Sequence, residues 1–457
     1  MLESSFSRNR FQFGLQPALG WGAILGLSFV TTLLILVGGG KILNVVFPAG
    51  AFLVGVILYF RYPLLYLSFT WWLFFLTPLI RRLADYRSGF TNPSPILLAP
   101  FLVALVTLAN LWPNFPRSQR IGGLPFILPI VGVFYGLGIG VILNSPVKVG
   151  IDLLEWLVPV LFGFYLFVNW RDYPSYRQTI ERTFVWGILV MSIYGIIQYF
   201  VAPEWDRFWM ISLNTSANGR PEPFNIRVWS TMDSPGPFSN VLRVGLLLLF
   251  IRVGTLTLIT SVAGYLTFLL TLVRSAWGAW FVGALSLVSS LKAQSQIRLI
   301  IIILVMTSLV IPLATMEPFA ETLNERFATF ENIQEDGSAQ ARQRTYQKFY
   351  DSALTNFVGN GLGSSRFDGA FLTMQWQLGW LGTIPYLSGT LLSLSNLFQP
   401  FYNRADTFFL VVRAIIIGIL PQLLLGNLML DVNGMIFWSF LGIGMAAQKY
   451  YFASRSR

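Results

Sequence analysis

The chain contains no cysteine and no histidine. Those absences remove structural disulfides, thiolate nucleophiles, zinc sites built on Cys or His, haem ligation by His, and imidazole as a proton carrier. Whatever chemistry occurs falls to carboxylates, Arg, Lys, Tyr or the backbone. The missing cysteines carry no information about redox compartment. Charge is scarce as well. Asp, Glu, Lys and Arg make up 11% of the 457 residues against 54% hydrophobic, and mean hydropathy is +0.63. Soluble domains carry about 25% charged residues, so a soluble globular protein is excluded.

What is present is a series of apolar stretches long enough to cross about 30 Å of hydrocarbon. They run Trp21–Val37, Leu43–Phe60, Pro63–Ile80, Pro95–Leu111, Pro125–Leu143, Leu153–Val168, Phe184–Val201, Phe238–Ile251, Leu256–Val273, Trp277–Val288, Ile297–Leu313, Phe371–Leu387, Thr407–Leu428 and Asn433–Ala447. The expectation is an all-α, polytopic transmembrane helical bundle of about 14 spans (12 to 14), with residues 1–457 forming one membrane domain. The first stretch has no small-residue cleavage pattern behind it and reads as a retained span.

Lys and Arg set the orientation, because short cytoplasmic connections retain them. With the N-terminus inside, fifteen fall on the inner side: Arg8, Arg10, Arg61, Arg117, Arg120, Arg171, Arg177, Arg182, Arg252, Lys292, Arg298, Arg404, Lys449, Arg455 and Arg457. The short outer turns hold five, namely Lys41, Arg81, Arg82, Arg87 and Lys148. With Glu3, Asp172, Glu181 and Asp406 counted against the fifteen, the inner face carries the whole formal net charge of +11. The basic balance is thus topology facing a lipid bilayer, and no nucleic-acid partner is expected. Both termini are expected in the cytoplasm, and the inner membrane of a bacterium is a further expectation that rests on the resemblance given below. Two features strain this reading: the outer turn Arg81–Arg87 breaks the positive-inside bias, and Phe238–Ile251 has the length of a re-entrant segment.

Two long connections, 202–237 and 314–369, are expected on the outer face, each with a short amphipathic helix; long loops in compact proteins are usually functional. The first ends in Arg220-Pro221-Glu222-Pro223-Phe224-Asn225-Ile226-Arg227-Val228-Trp229-Ser230-Thr231-Met232-Asp233-Ser234-Pro235-Gly236-Pro237. Turn formers mixed with two Arg, hydroxyls and an Asp suit an anionic or sugar-bearing ligand at the interface. Glu204-Trp205-Asp206 in the same loop is either a metal-binding carboxylate pair or an interfacial Trp with solvated neighbours. In the second loop, Ser338–Phe357 has an apolar stripe, with Arg344 and Lys348 on another face. It leads into Gly359-Asn360-Gly361-Leu362-Gly363-Ser364-Ser365, where alternating glycines let backbone N–H groups approach a ligand. The Gly-Lys-Ser/Thr ending of a P-loop is missing. Arg274, between two spans, is costly at that depth without a partner.

Three pieces together resemble the O-antigen polymerase and ligase superfamily, over roughly Ile226 to Leu387. They are Arg227-Val228-Trp229-Ser230-Thr231 leading to Pro235-Gly236-Pro237-Phe238, then Val273-Arg274-Ser275-Ala276-Trp277, then Gly359–Gly363 with Phe367-Asp368-Gly369-Ala370-Phe371-Leu372 and Leu378-Gly379-Trp380-Leu381-Gly382. The N-terminal half matches only in hydropathy. The resemblance implies a glycosyltransferase that needs no metal or other cofactor. Its substrate would be an undecaprenyl-diphosphate-linked oligosaccharide, with a chain-length regulator or flippase as a further partner. Arg220, Arg227, Arg274 and either Arg342 or Arg344 would hold the diphosphate as the carrier leaves.

Ligases of this superfamily carry a His after the Gly-rich turn. Asp368 stands there in this chain, which favours a polymerase over a ligase and makes Asp368 the candidate base for the acceptor hydroxyl. Its other reading is a helix N-cap for the following span. A non-catalytic flippase or transporter is the alternative from another class. No internal repeat supports it, and apart from Arg243 and Arg413 the expected spans are nearly free of charge.

Overall fold

The computed structural model describes residues 17–214, 216–251, 254–290, 296–297, 300–301, 304, 308, 355–400, 406–424, 426 and 429–455. Arg342, Arg344 and nearly all of the expected helix Ser338–Phe357 and span Ile297–Leu313 lie outside the described residues. Among those described, the chain is all-helical, 83% helix without a strand. Seven helices are long and apolar enough to cross a membrane, and three shorter apolar ones accompany them.

In chain order the helices are α1 (Ala18–Leu36), α2 (Gly40–Arg61), α3 (Pro63–Ser88), α4 (Ala99–Leu105), α5 (Leu108–Asn114), α6 (Ser118–Ile121), α7 (Leu124–Leu143) and α8 (Pro146–Val168). After them come α9 (Tyr173–Val201), α10 (Glu204–Leu213), α11 (Pro235–Leu248), α12 (Thr255–Leu270), α13 (Arg274–Val288), α14 (Ala370–Phe398), α15 (Thr407–Ile419) and α16 (Asp431–Arg455). Several start on a proline at the first turn, as α3, α8 and α11 do, where the missing N–H costs nothing.

In lipid the hydrophobic effect does not drive helices together, so close backbone approach has to. Gly132, Gly136 and Gly140, four residues apart, form a bare stripe on α7 that receives α14 and the second loop. A Cβ on Gly132 would stand 2.3 Å from the carbonyl oxygen of Gly382, and one on Gly140 would stand 2.5 Å from that of Leu362. α8 meets α16 in the same manner at Gly163 and Gly442, where a Cβ on Gly442 would be 2.2 Å from the Gly163 oxygen. The segment flagged as re-entrant, α11, is mostly apolar and buried throughout from Phe238 to Leu248, Ser239, Asn240 and Arg243 included. It is enclosed by α9, α12, α13, α15 and α16, the expected setting for such a helix.

The helix ends correct one expectation. Arg81 and Arg82 are not on a turn. α3 continues to Ser88, and the two side chains point into protein, 6% and 0% exposed. α8 likewise begins seven residues before the expected Leu153, at Pro146, and takes Asp152 into the bundle with Glu155. The charged groups inside the helices are therefore more than Arg243 and Arg413. They gather at the end of the bundle where the C-terminus of α3, the α7–α8 turn, both long connections and the start of α16 meet.

Candidate functional site

Asp152 organises this end. Spaced i, i+3 and i, i+4 on α8, Asp152, Glu155 and Trp156 share one helix face. The buried Asp152 carboxylate accepts the Gly363 N–H at 2.6 Å and the Gln377 side-chain N–H at 2.7 Å. It also takes Nε of Arg366 at 3.1 Å, together with a second guanidinium nitrogen. Gln377 in turn accepts from the Trp156 indole at 2.8 Å. Arg366 reaches Glu155 with its remaining nitrogen at 2.6 Å. One α8 carboxylate thus fixes the second loop, and its neighbour shares the loop's arginine.

The Gly-rich turn works differently from the expectation of a ligand-approaching backbone. Gly359, Gly361 and Gly363 all have positive φ, and their bare faces lie on helices. A Cβ on Gly361 would be 2.3 Å from the Gly140 nitrogen, and one on Gly359 would be 2.4 Å from that of Gly379. Four of its N–H groups are spent too. Gly359 donates to the Asn356 side chain, Asn360 to the Trp376 carbonyl, Leu362 to Gly136 and Gly363 to Asp152. The Asn144 amide clamps the carbonyls of Asn360 and Leu362 at 2.7 and 3.0 Å. The turn is a docking device that delivers Arg366.

The first loop is pinned as firmly. Arg82 pairs with Asp206 at 2.7 Å, both side chains 0% exposed, and donates to the Ser230 carbonyl. Gln198 accepts the Trp229 and Ser230 N–H groups at 3.0 and 2.8 Å and donates to Asp206 at 2.8 Å. Tyr194 adds another hydrogen bond to Asp206 at 2.9 Å, and the Thr231 hydroxyl donates to the Phe75 carbonyl at 2.5 Å. Burial raises the Asp206 carboxyl above its ordinary value, against the pull of Arg82, Gln198 and Tyr194. Glu204 is occupied elsewhere, accepting from Tyr86 at 2.5 Å, so the Glu204-Trp205-Asp206 carboxylates do not converge on one point. This framework carries Met232 and Asp233 to the cavity wall. Half-buried there, Asp233 has its carboxyl raised by loss of water, opposed by its own N–H, by Arg82 and Arg81, and by the Ser234 N–H.

Three cavities meet at Arg366. The largest, about 640 Å³, lies among Asn144, Lys148, Asp152, Asn360, Ser364, Ser365 and Trp376. A second, about 280 Å³, is set between α3, α8, the first loop and α16, with Thr77, Arg81, Glu155, Asp233 and Asp431 on its wall. The third, about 260 Å³, is lined by Glu155, Phe367, Asp368, Leu430, Asp431 and Asn433. Arg81 itself is held by Asp85 at 3.3 Å and by the Thr91 carbonyl at 2.7 Å, and lies 4.6 Å over the Trp209 ring.

Asp368 is exposed and lines the third cavity. It is not a helix cap, because Gly369 occupies the N-cap of α14 and no side chain caps there. Arg220, Arg227 and Arg274 line none of the three cavities. Arg220 is exposed on a loop turn. Arg227 donates to the carbonyls of Ala217, Thr271 and Leu272 at 2.9, 3.3 and 3.2 Å, which ties the first loop to the α12–α13 corner. Arg274 is the first residue of α13 at that same corner. Sequence reasoning missed Arg366, Asp152, Glu155, Arg81 and Asp431. The available signal was the i, i+3 carboxylate pair on an apolar helix, which is costly unless partnered.

No family model, curated protein or solved structure matches this chain.

Proposed function

We propose that this protein is a polysaccharide polymerase-type glycosyltransferase. In this reading it moves a glycan from an undecaprenyl-diphosphate carrier to a growing lipid-linked glycan at the outer face of a bacterial inner membrane. One observation carries the reading. Both long connections bring their polar residues to a single hydrogen-bonding site at one end of an apolar bundle, where arginines and carboxylates stand side by side. Glycan transfer from a diphosphate needs those two classes together: cations for the departing diphosphate and a carboxylate for the acceptor hydroxyl. The ordered motifs from Arg227 to Gly382 support the same class.

In this proposal the chain crosses the membrane fourteen times with both termini in the cytoplasm. Arg220, Arg227 and Arg274, with Arg342 or Arg344, are assigned to the diphosphate as it lies outside the three cavities, none of which the first three line. Lys148 and Arg366, which share the cavity of about 640 Å³ at this end, are the cationic groups within it. Asp368 stands by Arg366 on the acceptor side. The absence of histidine favours a polymerase over a ligase.

Proteoliposomes of the purified protein, supplied with a synthetic undecaprenyl-diphosphate oligosaccharide and a chelator, test the proposal. A ladder of longer lipid-linked glycans is expected without any lipid A acceptor. Transfer only after an acceptor lipid or protein is added would assign a ligase. Carrier movement across the bilayer without bond formation would assign a flippase.

A further inference from the structure

The second cavity has an unusual wall. Thr77 is 0% exposed, and its hydroxyl has no hydrogen-bond partner. Helical threonines in this chain commonly return their hydroxyl to the carbonyl four residues back, as Thr31, Thr70 and Thr390 do. Thr77 does not, and it faces the cavity. The buried hydroxyls of Thr260 and Thr383 are unpaired as well, but Thr77 is the one of the three on this cavity's wall. An unmade hydrogen bond on a buried hydroxyl costs about 1–3 kcal/mol, which a hydroxyl entering the cavity would recover. The next residue, Pro78, has no N–H to offer the Phe74 carbonyl one turn back, and Phe74 lines the same space.

The charged part of the wall carries both signs. Arg81 enters from α3, Glu155 from α8, Asp233 from the first loop, Arg366 from the second and Asp431 from α16. Arg81 is committed to Asp85 and Thr91, and Glu155 to Arg366. Among the described residues no three carboxylates gather closely enough to ligate an ion. Donors and acceptors spaced around a small enclosed volume fit a polyhydroxylated ring, whose hydroxyls both give and take hydrogen bonds.

We propose that this cavity seats the acceptor sugar and that Asp233 takes the proton from its attacking hydroxyl, with Thr77 and Arg81 orienting the ring. The inference rests on the glycosyltransferase reading. In the step, the acceptor oxygen forms a bond to the anomeric carbon of the donor glycan. The bond from that carbon to the phosphate oxygen breaks, its electron pair leaves with the polyprenyl diphosphate, and the hydroxyl proton passes to the Asp233 carboxylate. Glu155, bonded to Arg366 at 2.6 Å, keeps the guanidinium in place. Asp368 faces the neighbouring cavity and does not share this one, so in this assignment Asp233 replaces Asp368 as the base for the acceptor hydroxyl.

The test is polymerisation in proteoliposomes by the wild type, Asp233→Asn, Thr77→Val and Thr77→Ser, with acceptor oligosaccharide varied and pH scanned. Asp233→Asn is expected to lower kcat by about 100-fold or more and to remove the acid limb of the pH profile. Thr77→Val removes an unpaired hydroxyl and is expected to fold as the wild type does. It raises KM for the acceptor about fivefold with kcat retained, and Thr77→Ser restores it. A wild-type ladder with an unchanged pH profile in Asp233→Asn and an unchanged acceptor KM in Thr77→Val overturns this inference alone. No wild-type ladder overturns the glycosyltransferase reading and this inference with it.

Discussion

The two ends of the bundle treat buried charge in opposite ways. At the end away from the long connections, Asp406 caps α15 by accepting the Phe409 N–H at 3.2 Å. It also takes the Tyr173 hydroxyl at 2.6 Å, the Tyr451 hydroxyl at 2.9 Å and the Arg177 guanidinium at 3.2 Å. Its side chain is 0% exposed, and four groups from α9, α16 and its own helix close around it. This is a staple: every strong acceptor direction is used and no space remains. At the loop end, Arg366 has carboxylate partners on one side only, is 37% exposed, and looks into three cavities. A satisfied buried charge holds helices, whereas a half-satisfied one beside open volume is kept for a ligand.

The sharpest way to break this comparison is at a closed pair next to the open site. Arg82 and Asp206 are both fully buried, so Arg82→Leu leaves a carboxylate with no counter-charge. The expected loss is about 3–5 kcal/mol. Thermal unfolding in detergent checks it. The double variant Arg82→Leu with Asp206→Leu is expected to recover most of the loss, because the stranded charge goes as well. A single variant as stable as the wild type would show that water reaches the pair and that the cluster is not closed.

Exchanging the two ends sharpens the comparison further. Arg366→Lys keeps a counter-charge beside the buried Asp152 but loses the planar fork, and is expected to cut polymer output about tenfold while costing only about 1 kcal/mol of stability, since the group it replaces is partly solvated. Asp406→Asn is expected to do the reverse. It lowers stability by about 2 kcal/mol through weakened hydrogen bonds to a charged acceptor and leaves output per folded molecule unchanged. Equal loss of output in both variants, measured at matched protein level, would end the distinction between staple and site.

How far the sequence led follows from the same contrast. Hydropathy located the helices, because an apolar run needs no distant partner to be recognised: α1 and α7 fall within a few residues of Trp21–Val37 and Pro125–Leu143. It stopped short wherever a charge entered a helix. α3 was expected to end at Ile80, since the partners that admit Arg81 and Arg82 include Asp206 and Ser230, more than a hundred residues later. Arg366 was passed over for the same reason, its carboxylates lying 214 and 211 residues earlier on α8. The glycines were seen and their role misjudged, because only the packed structure shows Gly361 seated on Gly140.

The smallest expected effect concerns Asp233 and runs in two directions at once. Burial raises its carboxyl in the folded protein above the unfolded value, so the folded state binds the proton more tightly. Its contribution to stability is therefore greatest on the acid side. It declines as pH rises from the ordinary carboxylate range through the raised value, and is flat above. Asp233→Asn cannot titrate, and the difference between its stability–pH curve and that of the wild type isolates this slope from the one contributed by Asp206. In the proposed reaction transfer needs the ionised carboxylate, and activity is expected to climb over the window in which stability falls. A residue that only braced the loop would give the stability slope without the activity limb, so observing both in the wild type and neither in Asp233→Asn ties the group to the open site rather than to the framework that carries it.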